Sequence, residues 1–312
     1  MMPNPLYAGI DVGLRVNRVR LGNWKGEKVA PETSVPNDAY GAQALAESFK
    51  QTAASLGCDS LVIGMEATSL YSWHLAWFLA SHDLLKELDT QVYLLNPKLI
   101  AQFKKAMASD SGKDDSVDAL AILDRLRLGR LPHPFTPDDR YLPLQRLTRY
   151  RCHLINQLVQ EKNYFLSYLF LKCSGLVQQQ PFSNPFGAAS TAVVTEFFSA
   201  EEIAAQSVDE LARFIAEKSK NHFDDPQRVA KELKKAARDS YRLADKLKQP
   251  VNTILASSLA RIRFLQKQIK EVDKEIKREL AAVSNPLLSV PGLGPVFAAG
   301  IIAEIGDISR FA

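Results

Sequence analysis

Cysteine is scarce in this 312-residue chain, and the little there is does not cluster. Cys58, Cys152 and Cys173 stand far apart, with no CxxC pair and no closely spaced histidines. That argues against a zinc site and leaves reduced thiols. Long hydrophobic runs are lacking too. No apolar stretch approaches the ~20 residues that a membrane span requires, and the longest, around residues 296–305, is expected in a core. The first residues do not carry the basic, then apolar, then small-residue pattern of a secretion signal. A cytoplasmic protein without membrane contact is expected. There is no low-complexity tract and no internal repeat. Asp11-Val12-Gly13 could open an actin-like ATPase, but no second phosphate loop and no adenosine motif follow it.

What is present is an ordinary globular composition with an uneven charge. A hydrophobic content of 46% and a charged content of 24% are normal for a folded chain, and the length suits roughly two domains. The net charge of +4 conceals an asymmetry. Residues 1–139 hold 14 Lys/Arg against 17 Asp/Glu, whereas residues 140–312 hold 25 against 18. An acidic front and a basic back suit a metal-binding head joined to a body that grips a polyanion.

Residues 6–13 read as a short apolar strand that ends in an acid and a glycine, and residues 18–24 alternate as a half-buried neighbour. A turn at Asn23-Trp24-Lys25-Gly26 predicts a third strand around residues 27–29. Helices are predicted over 40–56, 71–81, 98–107 and 116–128, with buried strands over 60–66 and 91–96. This order gives a mixed α/β domain. The Pro-rich stretch 131–137 marks a boundary. Beyond it the chain reads as helical: a long helix over 140–176 with six Lys/Arg and one acid, Glu161, a loop over 181–187, and helices near 192–198, 207–219 and 226–237. Ser199 and Ser207 precede acidic first turns, as helix caps do. A second long helix, 240–283, spaces Leu255, Leu259, Ile262, Ile269, Val272, Ile276 and Leu280 by three or four. That is coiled-coil-like patterning, either for an antiparallel partner to the 140–176 helix or for a dimer seam.

Four acids carry the chemistry. Asp11 and Glu66 each end an apolar strand, and Asp115 and Asp118, three apart, share one helix face. Taken singly, each has a plain structural reading: a strand-end Asp before glycine is a common turn residue, and Asp115 could be a helix N-cap. Their joint order through one α/β unit points to a shared site. Carboxylates that converge repel unless cations lie among them, and hard oxygen donors without His or Cys suit Mg²⁺ or Mn²⁺. Two such ions ~3.5–4 Å apart stabilise the attacking and leaving oxygens of a phosphoryl displacement.

The segments Gly9-Ile10-Asp11-Val12-Gly13, Glu66-Ala67-Thr68-Ser69-Leu70-Tyr71 and Lys113-Asp114-Asp115-Ser116-Val117-Asp118-Ala119 resemble those of the DEDD transposases of the IS110 insertion-sequence family, which include the Piv-type invertases. Leu147-Thr148-Arg149-Tyr150-Arg151 resembles the start of that family's coiled coil, and residues 289–307 resemble the start of its C-terminal domain. Ser69 stands where a glycine is more usual, and Asp114 where a threonine is.

The resemblance implies an α/β plus all-α architecture. An RNase H-like (RuvC-like) mixed-sheet domain would cover 1–130, a linker 131–143, a helical coiled-coil region 144–284, and the start of a helix-hairpin-helix-like C-terminal transposase domain 285–312. It implies Mg²⁺ (or Mn²⁺) at Asp11, Glu66, Asp115 and Asp118 as the catalytic acids. It also implies donor and target DNA, a structured noncoding guide RNA, and a homodimer or tetramer as partners. A serine nucleophile is implied in a motif downstream of Gly306-Asp307-Ile308-Ser309-Arg310-Phe311. Ser309 precedes that motif, so no nucleophile is assigned, and the expectation is a shortened chain that binds metal and nucleic acid without completing strand exchange.

Basic residues near the linker (Arg140, Arg146, Arg149, Arg151) and a second cluster (Lys231, Lys234, Lys235, Arg238) are expected to contact phosphates. Tyr150 and Tyr164 are candidates for base stacking. Two rival readings remain: a self-sufficient RuvC-like nuclease that cuts branched DNA, and a non-catalytic nucleic-acid-binding or dimerising remnant.

Overall fold

The computed structural model describes residues 4–67, 70–107, 116–137, 140–283, 286–306 and 308. They fall into two compact units, Met1–Asp138 and Asp139–Ala312.

Alternation along the first strand sets the layering of the first unit. In β1 (Pro5–Val12), Leu6, Ala8 and Ile10 are fully buried on one side, while Tyr7, Gly9 and Asp11 point to the other. β1 pairs antiparallel with β2 (Val16–Gly22), and β2 pairs antiparallel with β3 (Thr33–Pro36). On its other edge β1 pairs parallel with β4 (Ser60–Glu66), which pairs parallel with β5 (Asp89–Leu95). The order β3-β2-β1-β4-β5 is that of an RNase H-like sheet.

Two helices, α1 (Ala39–Leu56) and α2 (Tyr71–Ser81), cover the face of Leu6, Ala8 and Ile10, through Leu45, Phe49, Leu75 and Leu79. The opposite face takes α3 (Pro97–Met107) and α4 (Ser116–Arg127), through Ile100, Ile122 and Leu126 against Tyr93 and Leu95. Local signals set the ends of α1: the Asp38 side chain accepts from the Gly41 N–H, and Gly57 closes the helix in the left-handed region.

The third strand is not where the turn chemistry predicted it. Asn23 Oδ1 accepts from the N–H groups of Lys25 and Glu27, which consumes donors that a ladder would need. Residues 27–29 contribute the bridge Gly22↔Lys28, a bond from the Val29 N–H to Leu21 O and one from the Asn23 N–H to Glu27 O, but no continuous strand. Pro31 offers no N–H, and pairing resumes at Thr33.

The second unit is helical. It contains α5 (Leu142–Lys172), α6 (Ser174–Gln178), α7 (Ala188–Glu196), α8 (Ala200–Ala205), α9 (Val208–Lys218), α10 (Pro226–Arg238), α11 (Asp245–Ala281) and α12 (Pro295–Ile305). The long pair α5 and α11 runs antiparallel within the chain, since Arg151 meets Asp273, Glu161 meets Arg261 and Lys172 meets Asn252. The predicted heptad-like stripe of α11 is buried together with Leu154, Leu158, Phe165 and Leu169 of α5. Ser199 and Ser207 cap α8 and α9, the latter as a complete capping box.

Helix 140–176 is interrupted at Cys173, and the second long helix starts at Asp245 rather than 240. One contact accounts for both differences. The buried Ser240 hydroxyl donates to Ala236 O and accepts from the Gly175 N–H, so residues at both breaks spend their polar groups on each other. The helix predicted from 192 begins at Ala188, because its small first-turn residues carry no long apolar periodicity. Among the described residues no helix is long and apolar enough to cross a membrane.

Candidate functional site

Register brings the first two acids together. In the parallel pair β1 and β4, Gly9 lies beside Gly64 and Ile10 beside Met65. Asp11 and Glu66 each follow their glycine by two residues, so both project from the same face at the same end of adjacent strands. On the antiparallel side Asp11 is paired with Arg18, which shares that face.

The glycines explain how a helix reaches the same place. A Cβ at Gly9 would lie 2.2 Å from Ala119 O, and one at Gly64 would lie 2.7 Å from a Leu126 methyl. Without side chains on those residues, α4 settles against the sheet and its first turn delivers Asp118 to the strand ends. Asp118 is more open than Glu66, with its side chain 44% exposed against 18%.

Lys104 of α3, which no sequence signal singled out, completes the cluster. Its Nζ donates to Asp118 Oδ1 at 2.7 Å and to Glu66 Oε1 at 3.3 Å. Lys104 and Lys105 are adjacent, and without the packing of α3 the sequence has no means of choosing between them.

The electrostatics are those of crowded carboxylates. Burial, then the charges of Asp118 and Glu66, push the Asp11 carboxyl above its usual value, while Lys104 and Arg18 pull it back only in part. For Lys104, burial opposes protonation, but the bond to Asp118 and the two carboxylate charges outweigh it, so the ammonium is held above the ordinary lysine value. Like charges drawn toward one end of the sheet in a partly desolvated cleft repel more than they would in water, and Lys104 supplies positive charge beside two of them.

The donor set is oxygen only, which fits Mg²⁺ or Mn²⁺, and the ammonium between Glu66 and Asp118 shows that the cleft accommodates a cation. Among the described residues no three His, Cys, Asp or Glu side chains form a ready metal cage. Asp115, with its neighbour Asp114, lies outside the described residues, as does Ser309.

Residues 8–172 match the sequence model of the IS110-type DEDD transposases, described as "Transposase". The chain belongs to that family. Over 207 residues it is 28% identical to the uncharacterized 44.8 kDa protein of insertion element IS116 from Streptomyces clavuligerus, a match that covers 64% of this chain and 49% of that protein. The chain thus spans about half the length of the relative it matches.

Several of the cations expected to contact phosphates in the second unit are engaged within the chain itself. Arg149 is held by Glu304 through two bonds of 2.8 Å, and Arg151 is paired with Asp273. Arg140 lies over the Tyr141 ring, and Arg146 is half-buried with a partner of its own. On α10, Lys234 donates to Gln206 O, whereas Lys231, Lys235 and Arg238 form an exposed stripe with no ion pair among the described residues. Tyr150 stacks with His153 and Tyr164 packs on Tyr168, both about half exposed. All three cysteines are free, and Cys173 is buried.

Proposed function

We propose that Asp11, Glu66, Asp115 and Asp118 bind Mg²⁺ or Mn²⁺, and that the chain uses this site in metal-dependent cleavage of DNA strands during transposition of an insertion sequence. The observation that carries this reading is the register of Gly9-Ile10 with Gly64-Met65, which sets Asp11 and Glu66 at the ends of adjacent strands, over which α4 delivers Asp118. When bound, the metal would supply charge stabilisation at the attacking and leaving oxygens of a phosphodiester. The chain's own residues do the rest. Asp11 and Glu66 sit on rigid paired strands, so their separation is set by the sheet, and Asp118 closes the site from the helix above. The exposed stripe Lys231, Lys235 and Arg238 holds nucleic acid by its phosphates, without reading sequence.

The family resemblance supports two finer parts of the proposal: a structured noncoding RNA that guides the chain to donor and target DNA, and a dimer or tetramer as the working form. The apolar side chains Val159, Phe170, Leu171 and Phe264 stand exposed on the long helices and are compatible with self-association. The test is to sequence the nucleic acid that the chain retains on purification at low salt, with its mass measured by light scattering. A defined structured RNA supports guidance. Retained DNA alone refutes RNA guidance, and retention of neither at any salt refutes the nucleic-acid reading.

A further inference from the structure

Lys104 occupies the place that a divalent ion would need. Its ammonium lies 2.7 Å from Asp118 Oδ1 and 3.3 Å from Glu66 Oε1, with the side chain 23% exposed. An ion held by those two oxygens competes with the ammonium for the same lone pairs. The ion would also meet a like charge a few ångströms away in a partly desolvated cleft, where charges interact more strongly than in water. The lysine stem is a flexible four-carbon chain, so the ammonium can leave without any movement of α3.

We propose that Lys104 is a positioning residue and resident counter-cation: it holds Glu66 and Asp118 convergent in the metal-free protein and withdraws when a divalent ion binds. This inference rests on the metal-binding reading of the same acids. Without Lys104, Glu66 and Asp118 lose the cation they share, so the metal-free protein loses stability, whereas the ion no longer has to displace a competitor. The two consequences have opposite signs, and a lysine that merely packed would not produce that reversal.

The test uses the full chain, with thermal unfolding in EDTA and in saturating Mn²⁺, and with Mn²⁺ affinity measured by calorimetry. Lys104→Met keeps the apolar stem and removes the charge. It is expected to melt below wild type in EDTA, to bind Mn²⁺ about tenfold more tightly, the scale of one to two partly exposed ion pairs, and to gain more from Mn²⁺ than wild type does. Lys105→Met removes the same net charge from the neighbouring exposed position and is expected to shift affinity less than about twofold, as a solvent-screened charge does. Unchanged or weaker Mn²⁺ binding by folded Lys104→Met overturns the proposal, as does equal tightening in Lys105→Met. If Lys104→Met does not fold in EDTA, Lys104→Gln retains a donor for one carboxylate, and the same tightening is required of it. Wild type that binds no Mn²⁺ refutes the metal reading itself, and this inference falls with it. Wild type that binds Mn²⁺ with no tightening in the variant refutes the role of Lys104 alone.

Discussion

Gly9 lies directly beneath Ala119: a β-carbon on Gly9 would come within 2.2 Å of the Ala119 carbonyl oxygen. That approach puts Asp118 beside the strand that carries Asp11, and it involves backbone that cannot turn aside. Gly9→Ala is therefore expected to cost about 1–3 kcal/mol, the usual penalty for overpacking, and to lift the first turn of α4. At Gly64 the obstruction is the buried Leu126 side chain, its Cγ and both methyls, which can yield more readily than helix backbone, so Gly64→Ala should cost less. Urea unfolding of the two variants checks the order. Equal cost would mean that α4 does not approach the sheet most closely at Gly9.

Asp11 is predicted to act against stability when no cation is bound. Burial and the neighbouring acids raise its native pKa above that of the unfolded chain. The native state therefore binds the proton more tightly, and stability falls as pH rises from the ordinary carboxylate value through the raised native one. Asp11→Asn removes that slope. In EDTA at neutral pH the variant should be at least as stable as wild type, and chemical denaturation across the acidic range measures the difference.

Lys172 gives the opposite slope. It is 2% exposed, and its Nζ donates to Val194 O, Phe197 O and the Asn252 side chain. Burial lowers its pKa to about 8. Between about pH 8 and the unfolded value of 10.5 the unfolded chain holds more protons than the native one, so stability attributable to Lys172 increases with pH across that window. Lys172→Met leaves buried acceptors unpaired, at about 1–3 kcal/mol each. The stability gap between wild type and variant should widen from pH 8 to pH 10. A gap that narrows would mean that the lysine is charged throughout.

Much of this fold was legible because its signals are local. The apolar runs that end at Asp11 and Glu66, the caps at Ser199 and Ser207, and the stripe from Leu255 to Leu280 all follow from neighbours in sequence. The misplaced third strand and the breaks at Cys173 and Ser240 come from competing polar contacts, and a contact such as that of Ser240 with Gly175 spans 65 positions. The same holds at the site. Two Gly-x-acid triplets can be seen in the sequence, but their common register, and the choice of Lys104 over Lys105, exist only after the sheet and α3 have packed.

The cationic residues of the second unit are predicted to separate into two groups. Arg149 and Arg151 are spent on Glu304 and Asp273, so their loss should alter stability more than nucleic-acid binding. Replacing Lys231, Lys235 and Arg238 by alanine should weaken binding across sequences alike. It should also reduce the slope of log affinity against log salt, by up to about 0.9 for each phosphate left without its cation. Fluorescence anisotropy at several salt concentrations measures both. An unchanged slope in the triple variant would move the phosphate-binding face elsewhere.

The central question is whether the acids at the strand ends form one metal site. Electron paramagnetic resonance of Mn²⁺ titrated into wild type and into Asp11→Asn, Glu66→Gln and Asp118→Asn tests this directly. The prediction is saturable binding by wild type and marked weakening in each of the three variants, with their folds retained. Wild-type affinity in all three would contradict it.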